Sequence, residues 1–183
     1  MYKSSKNKYL ISVTCLFTLA MLIPNNYREI LYFNIESASQ GQYWRYITGH
    51  FIHYSWLHCI CNLLGLYCLY YIFSHKKSEL NWYLPTIFII FFISFGLAST
   101  SDNLKWYIGY SDILIGLLSY SSVKTFDQNA LLSFAFLLFM TTYIASQTIF
   151  GGELVQSTYL TGINAASYAH LFGLIGGLIY GFI

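Results

Sequence analysis

An all-α, polytopic membrane bundle of six helices is the fold class this sequence predicts, and three observations carry that reading. Apolar residues make up 56% of the 183-residue chain and aromatic residues 20%. Charged residues make up only 9%, against roughly 25% in a soluble domain. The apolar residues also fall in long blocks of spanning length, and short connections separate all but the first pair. The blocks are about Tyr9–Ile23, Trp56–Phe73, Tyr83–Ser99, Ile108–Val123, Ala130–Phe150 and Ile163–Ile183. Together they predict a single membrane domain over residues 1–183.

The first block follows Lys3, Lys6 and Lys8, as the apolar core of a signal peptide would. No A-x-A-like cleavage site follows it; Pro24-Asn25-Asn26-Tyr27-Arg28 does, and Ser37-Ala38-Ser39 lies too far downstream. The block is therefore expected to remain as a helix. Pro24–Ser55 is the long connection, and it carries Trp44, Arg45, His50 and His53. The second block opens within HFIHYSWLHCICN, and the fourth within WYIGYSDILIGLLSY. After the fifth block, Gly151-Gly152 opens a loop that fold analogy makes a movable cap. The sixth block lies within TGINAASYAHLFGLIGGLIYGF.

Charge orients the bundle. With the N-terminus inside, Lys3, Lys6, Lys8, Lys76, Lys77 and Lys124 lie on the cytoplasmic side, against Arg28, Arg45 and Lys105 outside. Six against three favours that orientation, and six spans return the C-terminus to the inner face. His75, beside Lys76 and Lys77, reads as a solvated inner-loop residue. The net charge of +2 reflects this basic rim and gives no reason to expect a nucleic-acid partner. Cys15, Cys59, Cys61 and Cys68 fall within spans without a C-x-x-C, so they read as small packing residues rather than a disulfide or zinc framework.

On this topology the intramembrane polar groups converge. His53, His58 and Asn62 lie in the outer part of the second span, with His58 and Asn62 four apart on one face. Ser111 lies near the outer start of the fourth span, and His170 about two turns down the sixth, on the order of 10 Å. Polar residues are costly at such depth and mark sites. A serine hydroxyl needs a base, usually histidine, to become nucleophilic. The oxyanion formed on attack needs aimed donors. Ser111 is thus the expected nucleophile, His170 the base, and Asn62 with His58 the oxyanion donors. Free N–H groups at the start of the fourth helix point at the same charge. No acidic residue is placed to orient His170, so a dyad is expected rather than a triad. Ala166, Ala169, Gly173 and Gly177 form a small-residue stripe for close helix packing, with Gly109 and Gly116 serving the fourth span.

These residues resemble a rhomboid intramembrane serine protease. The resemblance lies in WRYITGHFIHYSWLHCICN (Trp44-Arg45, His53, His58, Asn62), in GYSDILIG (Gly109, Ser111) and in AHLFGLIGG (Ala169-His170, Gly173, Gly177). Within that family the small size and the TGHF-x-H phrasing are most similar to rhombosortases. The resemblance implies a bacterial cytoplasmic-membrane enzyme with its site toward the outer face. Its substrates would be single-span proteins bearing a C-terminal Gly-Gly-type sorting tail. Lipid surrounds such an enzyme, and neither metal nor other cofactor is implied. Trp44, Arg45, His53, Gly109, Gly173 and Gly177 would shape the site. His50 and His53 are expected to hydrogen-bond backbone in the first loop.

Two positions depart from the family pattern. Asp112 stands where a glycine commonly follows the serine, and is expected to face away from the oxyanion. Ile115 stands where an aromatic residue often stacks on the histidine; Tyr143 or Tyr168 is expected to pack there instead. These departures motivate an alternative, a catalytically inactive rhomboid-like protein that binds transmembrane segments. A metalloenzyme built on His50, His53, His58 and His170 is the other class, opposed by the absence of H-E-x-x-H and of carboxylates beside the histidines.

Overall fold

The computed structural model describes residues 3–73, 80–100, 106–150 and 163–183. His75, Lys76, Lys77, Lys105, Gly151 and Gly152, to which the sequence gives loop and capping roles, lie outside the described residues. Among those described, regular structure is helical apart from one isolated bridge between Phe33 and Tyr107. Helix α1 runs Lys3–Leu22. The long connection folds into short pieces, α2 (Asn25–Arg28), α3 (Ile35–Ser39) and α4 (Arg45–Thr48), interleaved with two 3₁₀ turns. Five long helices follow: α5 (Trp56–Phe73), α6 (Tyr83–Thr100), α7 (Ser111–Lys124), α8 (Ala130–Phe150) and α9 (Ile163–Phe182).

The six long helices coincide with the six apolar blocks. By length and composition alone, Trp56–Phe73 and Ala130–Ile149 each suffice to cross a bilayer; Asn7–Leu22 and Asn25–Leu31, bent by 118° to one another, reach that length only when taken together. Helix α7 is the short one, for a physical reason. It has 14 residues and buries Asp112, Ser119, Ser121 and Ser122 inside the bundle. A helix sheathed by its neighbours does not need a lipid-compatible surface.

The fourth block begins as helix later than its apolarity suggests, at Ser111 rather than Ile108. Gly109 adopts φ +136°, a conformation L side chains rarely reach, and it stops helical propagation there. Its N–H donates to the Gly49 carbonyl at 3.1 Å, and Tyr107 pairs both backbone groups with Phe33. The strand-like lead into Ser111 is thus stitched to the first loop. Gly109 therefore serves the turn before α7, not close packing within it.

Close packing falls to Gly116, Gly173 and Gly177. A Cβ on Gly173 would strike the Asp112 carbonyl oxygen, and one on Gly177 the Gly116 carbonyl oxygen. Helix α9 packs most extensively on α7 and next on α6. Helix α1 closes the other side. The buried Tyr9 hydroxyl hydrogen-bonds to Thr86 Oγ1 at 2.6 Å and to the Tyr110 hydroxyl, linking α1, α6 and the residue before Ser111. Only Cys59 packs as a buried residue; Cys15, Cys61 and Cys68 are exposed, which corrects their reading as packing residues. On a lipid-facing helix surface a small thiol needs no partner.

Candidate active site

Tyr110 occupies the N-cap position and Ser111 is the first residue of α7. The Tyr110 side chain makes no capping bond; Ser111 Oγ lies 2.8 Å from His170 Nε2, reaching across to α9. The glycine contacts just described bring the two helices near enough for that bond. Ser111 is half-buried and His170 is 5% exposed.

The other ring nitrogen of His170 is held by a residue the sequence reading missed. His170 Nδ1 lies 2.8 Å from Gln147 Oε1, on α8. An amide oxygen only accepts, so Nδ1 carries the proton and Nε2 presents its lone pair to the Ser111 hydroxyl. Gln147 Nε2 in turn donates to the Tyr143 hydroxyl at 2.9 Å, one turn earlier. The Tyr143 ring sits 5.9 Å from the His170 ring at 39°. Of the two tyrosines expected to replace the missing aromatic, Tyr143 is the one against the histidine. Tyr168 is 41% exposed. Ile115 packs instead with Ile144 and Leu174. Replacing Gln147 by alanine removes its bonds to His170 and Tyr143. The loss of the one to the imidazole, worth about 1 kcal/mol, is expected to slow any reaction that uses His170 Nε2 as base roughly fivefold to tenfold, which a rate measurement on the folded variant would check.

Asp112 turns away from Ser111 and is fully satisfied. Its Oδ2 lies 2.8 Å from His50 Nδ1, and its Oδ1 accepts from the Ile113 N–H at 2.7 Å. His50 Nε2 is 3.0 Å from Ser94 Oγ, whose hydroxyl donates to the Tyr46 carbonyl at 2.6 Å. Both His50 and Asp112 are fully buried. His50 therefore does not hold loop backbone, as the sequence suggested; it ties the first turn of α7 to α6 and the first loop. Asp112→Leu is expected to destabilise the fold by about 1.5–3 kcal/mol, the cost of stranding one partner of a buried charged hydrogen bond. Adding His50→Leu to it should return most of that loss, a coupling that a double-mutant cycle on unfolding free energies would read.

His53 also differs from expectation. Both its ring nitrogens are buried without a hydrogen bond among the described residues. The ring packs edgewise on Phe17, at 4.4 Å, and on His58, at 5.0 Å. Burial, aided by the neighbouring His58, pushes its pKa down to about 3, so it is a neutral packing group. Its carbonyl accepts from Arg28 Nη1 at 3.0 Å. Behind it, Arg45 Nη1 donates to the Glu29 and Tyr32 carbonyls at 2.9 and 2.8 Å, and Trp44 Nε1 to the Ile30 carbonyl at 3.0 Å. Trp44 and Arg45 thereby fix the first loop over the bundle.

His58 and Asn62 lie one above the other on α5. Asn62 is buried, and its Nδ2 donates to the His58 carbonyl at 3.1 Å, leaving one amide hydrogen for another acceptor. The His58 ring approaches the lead into Ser111: a Cβ on Gly109 would stand 3.2 Å from His58 Cε1 and 3.4 Å from Nε2. Helices α7, α8 and α9 thus gather Ser111, His170 and Gln147, with the His58 ring of α5 beside the turn at Gly109.

Comparison with curated proteins finds no match to this chain. A family model described as the Rhomboid domain matches residues 40–183, a stretch that runs from before Trp44 to beyond Gly177.

Proposed function

The chain belongs to the rhomboid family of multi-pass membrane proteins, and from that premise we propose that it is an intramembrane serine endopeptidase. The observation that carries the proposal is the 2.8 Å approach of Ser111 Oγ to a His170 Nε2 whose lone pair is freed by Gln147. In the proposed reaction Ser111 Oγ attacks the scissile carbonyl carbon as its proton passes to His170 Nε2. The carbonyl electron pair moves onto oxygen, where His58, Asn62 and the free N–H groups at the start of α7 stabilise it. Collapse breaks the C–N bond and returns the proton to the leaving amine. Water, deprotonated by the same imidazole, then releases the acyl group.

Depth supports the assignment. A 14-residue helix is about 21 Å long, short of the ~30 Å hydrocarbon layer. With its far end at the inner face, Ser111 sits below the outer surface, where a transmembrane segment would present its peptide bonds. Six spans with both termini inside, and a site opening outward from a bacterial cytoplasmic membrane, complete the reading. The inactive alternative rested on Asp112 and Ile115. The His50 pairing turns the carboxylate aside, and Tyr143 takes up the place against His170, so neither substitution argues against chemistry.

The Thr48–His53 phrasing supports the narrower assignment to the rhombosortase branch, with single-span substrates that end in a Gly-rich motif, an apolar helix and basic residues. The test is co-expression with a reporter bearing such a tail. Cleavage that requires Ser111 and the Gly-Gly pair is the expected result. A reporter left whole by an enzyme that still labels with a fluorophosphonate would overturn the substrate class while keeping the protease.

A further inference from the structure

Tyr107 is buried, and Ser111 and Asp112 are its polar neighbours, yet nothing among the described residues meets its hydroxyl in hydrogen-bonding geometry. Buried polar atoms are almost always paired, and one left unpaired calls for an explanation. Its position supplies one. The space left by the missing side chain of Gly109 is bordered on two sides by polar atoms. The point a Cβ would occupy is 3.4 Å from His58 Nε2 and 3.7 Å from Tyr107 Oη. That space lies two residues before Ser111, beside the free N–H groups of the first turn of α7.

We infer that the Tyr107 hydroxyl is a further oxyanion donor, converging with His58 on the carbonyl oxygen of the substrate held beside Ser111. The inference rests on the serine-protease reading above and adds a residue to it. The group is suited to the task. Burial, and next the charge of Asp112, hold the Tyr107 phenol well above its ordinary pKa, so it remains a neutral donor throughout the working range. Its backbone is paired on both sides with Phe33, at 2.9 and 3.1 Å, which fixes where the ring stands. A donor left unpaired at rest and satisfied only by the developing negative charge contributes to the transition state and not to the ground state. No proton is transferred; the hydroxyl donates a hydrogen bond while the charge lasts.

Tyr107→Phe tests this, because it keeps the ring and the backbone pairing and removes only the oxygen. With the reporter substrate, kcat is expected to fall about 10²–10³-fold, the loss typical of removing one oxyanion donor, with KM within about threefold. Tm should stay level or rise, because no native hydrogen bond is lost. A peptide aldehyde, which forms the tetrahedral adduct, should lose affinity in parallel with kcat. Incorporating 3-fluorotyrosine at the same position, which retains the hydroxyl, should restore turnover. The inference is overturned if Tyr107→Phe keeps kcat within threefold, or if kcat and Tm fall together as for a purely structural hydroxyl. Failure of the underlying reading looks different: Ser111→Ala would then cleave the reporter as well as wild type does, whatever Tyr107 does.

Discussion

Ser111→Ala is expected to lower turnover by about 10⁴–10⁶-fold while leaving thermal unfolding and membrane insertion unchanged, and His170→Ala to lower turnover as far. The size follows from the way such groups act as a unit. Without the serine the imidazole has nothing to activate, and without the imidazole the serine is an ordinary alcohol. The double variant should therefore be no worse than either single one. The 2.8 Å bond joins two helices that are already locked by backbone contacts, so its removal costs the fold little. Turnover of the tailed reporter, together with fluorophosphonate labelling of both variants, measures this. Appreciable cleavage by Ser111→Ala, or losses that multiply in the double variant, would sink the proposed chemistry.

Gly173→Ala is expected to lower activity by about 10²-fold, by a different route. The added Cβ meets the carbonyl oxygen of Asp112, part of the backbone of α7. A backbone atom in the first turn of a helix cannot rotate away as a side chain can. Overpacking of this kind costs about 1–3 kcal/mol, and relief requires α9 to move off α7. A shift of about 1 Å between nucleophile and base is enough for a 10²-fold loss. Gly176→Ala is the matched control, three residues along the same helix. Its Cβ would meet the Phe92 ring at 3.2 Å, a side chain rather than backbone and a less severe contact, so activity within about threefold of wild type is expected. Equal tolerance at both positions would show that α9 does not need its close approach to α7.

The helices were legible because hydrocarbon is an undiscriminating solvent: a block such as Ala130–Phe150 announces itself by composition alone. Ser111, His170, His58 and Asn62 were nameable because each sits in a short local pattern. The residues that support them were not, for reasons of distance. Gln147 stands among Thr, Ser and Tyr on α8, 23 residues from His170, with no spacing that relates the two. His50 and Asp112 are 62 residues apart. A signal for that pair did exist. A carboxylate inside a bundle must find a partner, and the chain has only five histidines to offer one among its apolar blocks. Tyr107 gave no signal at all, since one tyrosine among 18 acquires meaning only when its hydroxyl is seen to be unpaired. The start of α7 at Ser111 was obscured because Ile108 continues the apolar run and hydropathy does not register φ.

Ser111 precedes His170 by 59 residues, and α9 is made after the other long helices described. At a synthesis rate of about 5–20 residues per second, Ser111 leaves the ribosome roughly 3–12 s before His170. Through that interval the nascent chain holds Ser111 without His170 beside it, at the time when other apolar segments are crowding through the insertion machinery. Docking of the glycine face of α9 onto α7 is then the event that assembles the proposed dyad. On the proposed chemistry, the serine stays an ordinary alcohol until that docking is complete.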